Sequence, residues 1–203
     1  MKHLLLAATA AAALATAAPA AAAVVNALPG GTLLAQPALN AFGAGPQTLA
    51  PGVTWSSTTP SSTFGYTGTY MLNANGLWDG TPPYVGLNSQ FGTMTFAFDT
   101  PVSAVGGFLN YGPLTGVTSI AIYDSTDTLI ESHTLSISTP GGTNEGAFYG
   151  FTQETASIAY FRIFDAYAVM RDLTVVTETP EPASLALLGA GLLGLAAARR
   201  RRA

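Results

Sequence analysis

The sequence contains no cysteine, only two histidines and few charged residues. Of its 203 residues, 9% are charged, against about 25% in a typical soluble domain. The lack of cysteine excludes a disulfide framework, a thiolate zinc site, an iron–sulfur cluster and a cysteine nucleophile. Two histidines make a His-rich metal site or a Ser-His-Asp triad hard to assemble.

Positive charge is almost missing from the interior of the chain. Between residues 24 and 179 only Arg162 and Arg171 are basic, against ten carboxylates. The other basic residues are Lys2 and four arginines at the C-terminal end. An interior this acidic is unsuited to the phosphate backbone of nucleic acids, and we expect no nucleic-acid partner.

The first 23 residues have the three parts of a secretory signal peptide. Lys2 provides a positive start, residues 4–18 form an apolar Ala/Leu-rich run, and small residues at 21–23 provide a cleavage site. The alternative is a membrane anchor that stays attached, but the run is rich in alanine and is interrupted by Pro19. We therefore predict export through the Sec machinery and removal of residues 1–23 by signal peptidase.

The last 24 residues, 180–203, also have three parts. A Pro-Glu-Pro motif comes first, then sixteen uncharged residues at 183–198, then a membrane stop formed by Arg199, Arg200, Arg201 and Arg202. As a helix the apolar part is about 24 Å long, slightly short of a hydrocarbon core of about 30 Å. A buried helix of a soluble domain is the alternative, but it needs no arginine block. We predict a single transmembrane helix whose arginines stay in the cytoplasm.

This tail resembles the PEP-CTERM sorting signal of Gram-negative bacteria, typically ones that make extracellular polysaccharide. The resemblance implies recognition by an exosortase, a membrane-embedded protease that removes the tail. It makes Pro180, Glu181 and Pro182 the sorting motif. It also implies a transient anchor in the inner membrane, followed by location in the cell envelope or outside the cell.

Between the two ends, short apolar-alternating runs are separated by Gly, Pro, Asn and Ser. The clearest run is residues 93–99, in which Met94, Phe96 and Phe98 share one side. Further strands are predicted at 102–111, 117–123, 128–137, 147–151, 157–164 and 167–176. Their spacing predicts an all-β, antiparallel sandwich over residues 61–179. Residues 24–60 are interpreted as an irregular Gly/Pro-rich arm or as edge strands.

A second, looser resemblance covers residues 91–176. The pairs Pro101-Val102, Tyr123-Asp124 and Asp172-Leu173, with the motif at 148–151, are similar to a domain common among exported PEP-CTERM proteins. The resemblance implies a jelly-roll-like sandwich, but no activity. Arg171 stands where an apolar residue is usual in the closing strand.

Two ligand classes have candidate residues in the body. Trp55, Trp78 and Tyr84 lie in predicted loops, where aromatic rings could stack on sugars, although such rings more often cover the end of a sandwich. A structural calcium ion is the other candidate, because it prefers oxygen ligands from loops. Its candidate ligands are Asp124, Asp127 and Asp172.

The function predicted from the sequence is therefore that of an exported, non-enzymatic protein of the envelope or extracellular matrix, without a required cofactor. An exopolysaccharide-binding module is the alternative. A glycoside hydrolase is a remote one, because its pair of carboxylates finds no clear counterpart among the scattered acidic residues.

Overall fold

The computed structural model describes residues 22–177, and these fold into β-strands and two short 3-10 turns, Asn73–Asn75 and Pro113–Thr115. The strands are β1 (Ala23–Val25), β2 (Thr32–Leu34), β3 (Ala41–Phe42), β4 (Gln47–Ala50), β5 (Val53–Ser57), β6 (Thr63–Tyr66), β7 (Tyr70–Met71), β8 (Leu77–Trp78), β9 (Tyr84–Gly86), β10 (Thr93–Val102), β11 (Ala104–Asn110), β12 (Ser119–Tyr123), β13 (Leu129–Thr134), β14 (Ala147–Thr152), β15 (Ile158–Phe164) and β16 (Val169–Val176). The all-β class predicted from the sequence is confirmed for this range.

Two large antiparallel sheets contain most of the strands. The eight-stranded sheet has the order β1-β14-β11-β16-β9-β6-β3, and β2 also pairs with β16. The six-stranded sheet has the order β13-β12-β15-β10-β5-β4. A separate hairpin joins β7 to β8. In both large sheets, strands far apart in the chain are neighbours.

The hydrophobic core lies between the two large sheets. Phe96 of β10, Phe161 of β15 and Ile122 of β12 face inward from the six-stranded sheet and are fully buried. Phe151 of β14 meets Phe161 with ring centroids 6.4 Å apart. This is the interdigitation of inner faces that holds a sandwich together. The alternation predicted for residues 93–99 is confirmed by the burial of Met94, Phe96 and Phe98.

The region before residue 60 belongs to the sandwich. Of the two alternatives for residues 24–60, strands are correct, and β3 and β4 lie at sheet edges. β5, however, lies between β4 and β10, where Trp55 pairs with Phe96. β5 therefore lies inside the six-stranded sheet and not at its edge.

The chain from residue 67 to 82 folds back over the outer face of the eight-stranded sheet. Leu72 and Trp78 from this segment pack on Tyr84 and Val169, and the four side chains are fully buried. They form a second, smaller hydrophobic cluster outside the main core. One outer face of the sandwich is thus covered by the protein itself.

The predicted signal peptide lies almost entirely outside the described residues, and the predicted transmembrane helix lies wholly outside them. Within residues 22–177, no helix has the length and apolar character needed to cross a membrane.

Candidate functional site

The three aromatic residues predicted for carbohydrate contact are buried. Trp55, Trp78 and Tyr84 each expose 0% of their surface. Trp55 lies in β5 and packs on Phe64 of the opposite sheet, with ring centroids 5.2 Å apart. The prediction that these rings contact sugar is therefore wrong, because their faces are occupied by protein.

The buried Trp78 ring packs against Tyr84 on one side and against the buried Arg171 on another. The ring centroids of Trp78 and Tyr84 lie 5.6 Å apart in an edge-to-face arrangement. The guanidinium of Arg171 lies 4.8 Å from the Trp78 ring centroid, which is a cation–π contact. Arg171 is therefore buried against an aromatic surface.

Tyr84 completes this cluster. Its hydroxyl donates a 2.9 Å hydrogen bond to the carbonyl oxygen of Gly68. Burial is the main cause that raises the pKa of Tyr84 above its ordinary value, and the neighbouring Tyr66 adds to it. A buried, neutral phenol that fastens the 67–82 segment is a structural element and does not face solvent.

The three aspartates predicted as calcium ligands do not form one site. Asp124 and Asp127 lie in the turn between β12 and β13, whereas Asp172 lies on β16 of the other sheet. Among residues 22–177 no group of three or more His, Asp or Glu side chains is placed to hold a metal ion. The prediction of a joint site is wrong, because the fold assigns these carboxylates to different sheets.

Asp124 already has a local role, and Asp172 lies next to Arg171. Asp124 Oδ1 accepts hydrogen bonds from the backbone N–H groups of Thr126 and Thr128 and from the Thr126 hydroxyl, at 2.7–2.9 Å. These bonds, that of the Thr126 hydroxyl first, lower the pKa of Asp124. Burial is the main cause that raises the pKa of Asp172. The Arg171 Nε, 3.8 Å from Asp172 Oδ2, lowers this pKa but offsets the effect of burial only in part.

The outer face of the six-stranded sheet, here called the open face, carries a group of partly exposed polar and aromatic side chains. Because inward residues alternate with outward ones, each inward row of this sheet has an outward row beside it. One outward row consists of Ser56, Thr95, Arg162, Ala121 and Ser132, and the next consists of Thr54, Ala97, Tyr160, Tyr123 and Leu129. Hydroxyl groups and small side chains therefore surround a central arginine and two tyrosines.

Arg162 is the centre of the open face. Its Nη2 donates to Asp127 Oδ1 at 2.7 Å, so β15 is joined to the β12–β13 turn. Its guanidinium lies 4.3 Å from the Tyr123 ring centroid and 5.4 Å from that of Tyr160. The Arg162 side chain is 22% exposed and that of Asp127 is 57% exposed. Donor, acceptor and aromatic groups thus reach solvent together.

The sequence analysis does not predict that Arg162, Asp127, Tyr123 and Tyr160 form one group. The sequence feature that indicates an outward-facing Arg162 is the alternation in β15, where the inward Phe161 and Ile163 flank it. Tyr123 and Tyr160 lie in predicted strands with no binding role assigned to either, and their pairing requires the β12–β15 register. No local pattern indicates that these two strands are neighbours.

The C-terminal end of the sandwich leads directly into the sorting tail. β16 ends at Val176 and Thr177 is exposed. A cleft of about 320 Å³ opens at this end, with Val175 and Thr177 among its lining residues. The predicted sorting motif at 180–182 and the arginines at 199–202 lie outside the described residues. The tail, residues 180–203, therefore begins four residues after the end of the last core strand.

Comparisons with known proteins give one sequence match and two distant structural likenesses. Two solved Streptococcus pneumoniae structures, described as a fucose binding module SpX-3 and a fucose binding module, have TM-scores of 0.37 and 0.36. Their identities are 11% and 9%; the matches cover 55% and 52% of this chain, and 92% and 76% of those chains. No curated protein matches the sequence. Residues 178–202 match the family model of the PEP-CTERM protein-sorting motif, so the chain carries a PEP-CTERM sorting signal at its C-terminal end.

Proposed function

We propose that this protein is exported from a Gram-negative bacterium, anchored briefly in the inner membrane and sorted by an exosortase to the envelope or the extracellular matrix. The observation that carries the proposal is the PEP-CTERM motif at residues 178–202. Its position supports the same function, because it begins directly after Thr177, next to the end of β16. A protease could therefore act on the tail without breaking a strand of the core.

Each part of the two ends has a physical role in this proposal. The signal peptide at 1–23 directs the chain to the Sec machinery and is removed by signal peptidase. Pro180 and Pro182 keep the motif out of a helix, because proline lacks the N–H that a helix needs. The apolar run at 183–198 enters the bilayer, and the arginines at 199–202 keep the C-terminus in the cytoplasm.

For the mature domain we propose a non-enzymatic role in a jelly-roll-like sandwich without a required cofactor. The acidic groups of the described residues support this role, since several of them hold the fold together. Asp124 organises a turn, Asp127 pairs with Arg162, and Asp165 Oδ1 accepts a hydrogen bond from the Gly92 N–H. A carboxylate with such a partner is less suited to serve as a general acid or base.

The test is mass spectrometry of both termini of the mature protein, produced in a host that contains an exosortase. We expect an N-terminus near residue 24 and loss of the arginine block. Replacement of Pro180, Glu181 and Pro182 by alanine should leave the arginine block attached, and Glu154→Ala in an exposed loop should be processed normally. A mature wild-type protein that keeps Arg199–Arg202 would contradict sorting by cleavage.

A further inference from the structure

We propose that the open face binds a neutral polysaccharide, which contacts Arg162 and Asp127 through its hydroxyl groups and Tyr123 and Tyr160 through its ring surfaces. This inference concerns a surface to which the sorting function assigns no role, and it does not depend on that function. It also differs from the sugar contact predicted from the sequence, whose three aromatic residues are buried.

The Arg162–Asp127 pair presents donors and an acceptor side by side. A guanidinium has five N–H donors in a planar fork, and a carboxylate has only acceptor positions. Nη2 of Arg162 uses one donor on Asp127 Oδ1, and both side chains remain partly exposed. A sugar hydroxyl can donate and accept at the same time. Two adjacent hydroxyls of a sugar therefore fit such a pair, with one accepting from Arg162 and the other donating to Asp127.

Tyr123 and Tyr160 add apolar ring surface beside this polar pair. They lie opposite each other on β12 and β15, and both rings are half-buried. Their contacts with the guanidinium hold all three groups in one arrangement. A rigid set of groups loses less conformational entropy on binding, which favours affinity. Ring surface next to hydrogen-bonding groups suits a sugar, whose C–H faces are apolar and whose edges carry hydroxyls.

The extent of the open face fits a polymer better than a single sugar. The row from Ser56 to Ser132 crosses five strands. With neighbouring strands about 4.8 Å apart, this row is about 19 Å long. Thr95 and the two serines of the row provide hydroxyl groups on both sides of Arg162. A chain of several sugar units can therefore follow the row across the sheet.

The charge of the domain favours a neutral ligand over an acidic one. Residues 22–177 contain two arginines and nine carboxylates. Arg162 is paired with Asp127, and Arg171 is buried against Trp78. An acidic polysaccharide would be repelled by the net negative charge of the domain. A neutral polymer is not subject to this repulsion.

The test is affinity electrophoresis and calorimetry of the full-length chain, kept soluble in a detergent without a sugar headgroup. The probes are dextran, galactomannan, laminarin and the neutral polysaccharide fraction of the native host, with alginate as the acidic probe. We expect binding to at least one neutral polymer and weaker binding to alginate. No binding to any neutral probe, or tighter binding to alginate, would overturn the proposal.

Two variants locate the site and one serves as a matched control. Arg162→Lys should raise the Kd about tenfold or more, since a tenfold change is a typical cost of a lost charged hydrogen bond. Tyr160→Ala removes the ring surface and should also raise the Kd about tenfold or more, because a contacting tyrosine is often a large contributor to binding. Arg162→Lys keeps the charge but loses the planar fork, and it decides the outcome if Tyr160→Ala does not fold. Tyr149→Ala removes a half-buried tyrosine on the other sheet and should keep the wild-type Kd. An unchanged Kd in Arg162→Lys would refute the assignment.

Discussion

The side-chain amide of Asn75 donates a 3.0 Å hydrogen bond to the amide oxygen of Asn110, and both residues are buried. Asn110 Nδ2 donates to Asn144 Oδ1 at 3.0 Å, and Asn144 Nδ2 donates to the Asn75 carbonyl oxygen at 2.8 Å. Three asparagines far apart in the chain therefore close a ring of hydrogen bonds. The ring fastens the 3-10 turn of the covering segment, and the loop before β14, to the end of β11.

Asn110→Ala should lower the free energy of unfolding by about 3 kcal/mol, because it removes the buried amide that accepts from Asn75 Nδ2 and donates to the Asn75 carbonyl oxygen and to Asn144 Oδ1. Urea denaturation of the two proteins measures the difference. Asn26→Ala, at an exposed position, should change the stability by less than about 0.5 kcal/mol. Equal losses in the two variants would show that the ring contributes nothing.

Trp78→Ala should lower the free energy of unfolding by about 3–5 kcal/mol, as expected for the loss of a large buried ring. Phe91→Ala is the control, since Phe91 is 70% exposed and its loss should change the free energy of unfolding little.

Trp55 and Trp78 are the two tryptophans of the chain, and both are fully buried. Acrylamide should therefore quench the native fluorescence weakly, and efficient quenching in the folded protein would contradict the burial of these rings.

Asp124→Ala should lower the melting temperature at neutral pH, with the difference from wild type disappearing in acid. Hydrogen bonds from Thr126 and Thr128 lower the folded-state pKa of Asp124. The stability that this carboxylate contributes is therefore present above its unfolded-state pKa, and it is lost as the pH falls through the folded-state pKa. Melting temperatures between pH 2 and pH 7 test this.

The matched control for Asp124 is Glu154→Ala, an exposed carboxylate in a loop. Its melting curve should follow the wild-type curve at each pH. A difference between Asp124→Ala and wild type that stays constant from pH 7 to pH 2 would rule out the ionised carboxylate as its cause.

Gly65→Ala should destabilise the protein by about 2 kcal/mol or more, through backbone strain and a steric clash. Gly65 lies in β6 with a φ of +61°, and a Cβ there would overlap the Pro37 carbonyl oxygen. Its own carbonyl oxygen accepts hydrogen bonds from the N–H groups of Leu39 and Asn40. Gly141→Ala is the control, because a Cβ at that position meets nothing within 4 Å. Similar denaturation midpoints for the two variants would contradict this reading of β6.

Local alternation predicted the seven strands from β10 to β16, but it did not identify β1 to β9 individually. In β10 the inward Met94, Phe96 and Phe98 were identified from period-two spacing alone, because neighbouring side chains of a strand point to opposite faces. The sorting signal at the C-terminal end was likewise recognised from a short, ordered motif and was matched independently, whereas the signal peptide at 1–23 stays a prediction. Such features depend on residues that are close together in the sequence.

The ligand predictions failed where the answer depended on distant parts of the chain. Trp78 lies in a region rich in Gly and Asn, which indicates a loop, but that segment folds onto the eight-stranded sheet and meets Arg171 of β16. Asp124 and Asp172 were grouped by chemical type, yet they belong to different sheets. Composition near a residue does not report which surface later covers it.

The sequence by itself determined that the chain is built from alternating strands and that its C-terminal end carries a sorting signal, because both are encoded in neighbouring residues. Only the tertiary structure decided which face of the sandwich is open. That choice depends on the pairing of β12 with β15, which joins Tyr123 to Tyr160, and on the return of residues 67–82 over the other sheet. Long-range strand pairing sets both, since it minimises exposed apolar surface over the whole domain and not within any one segment.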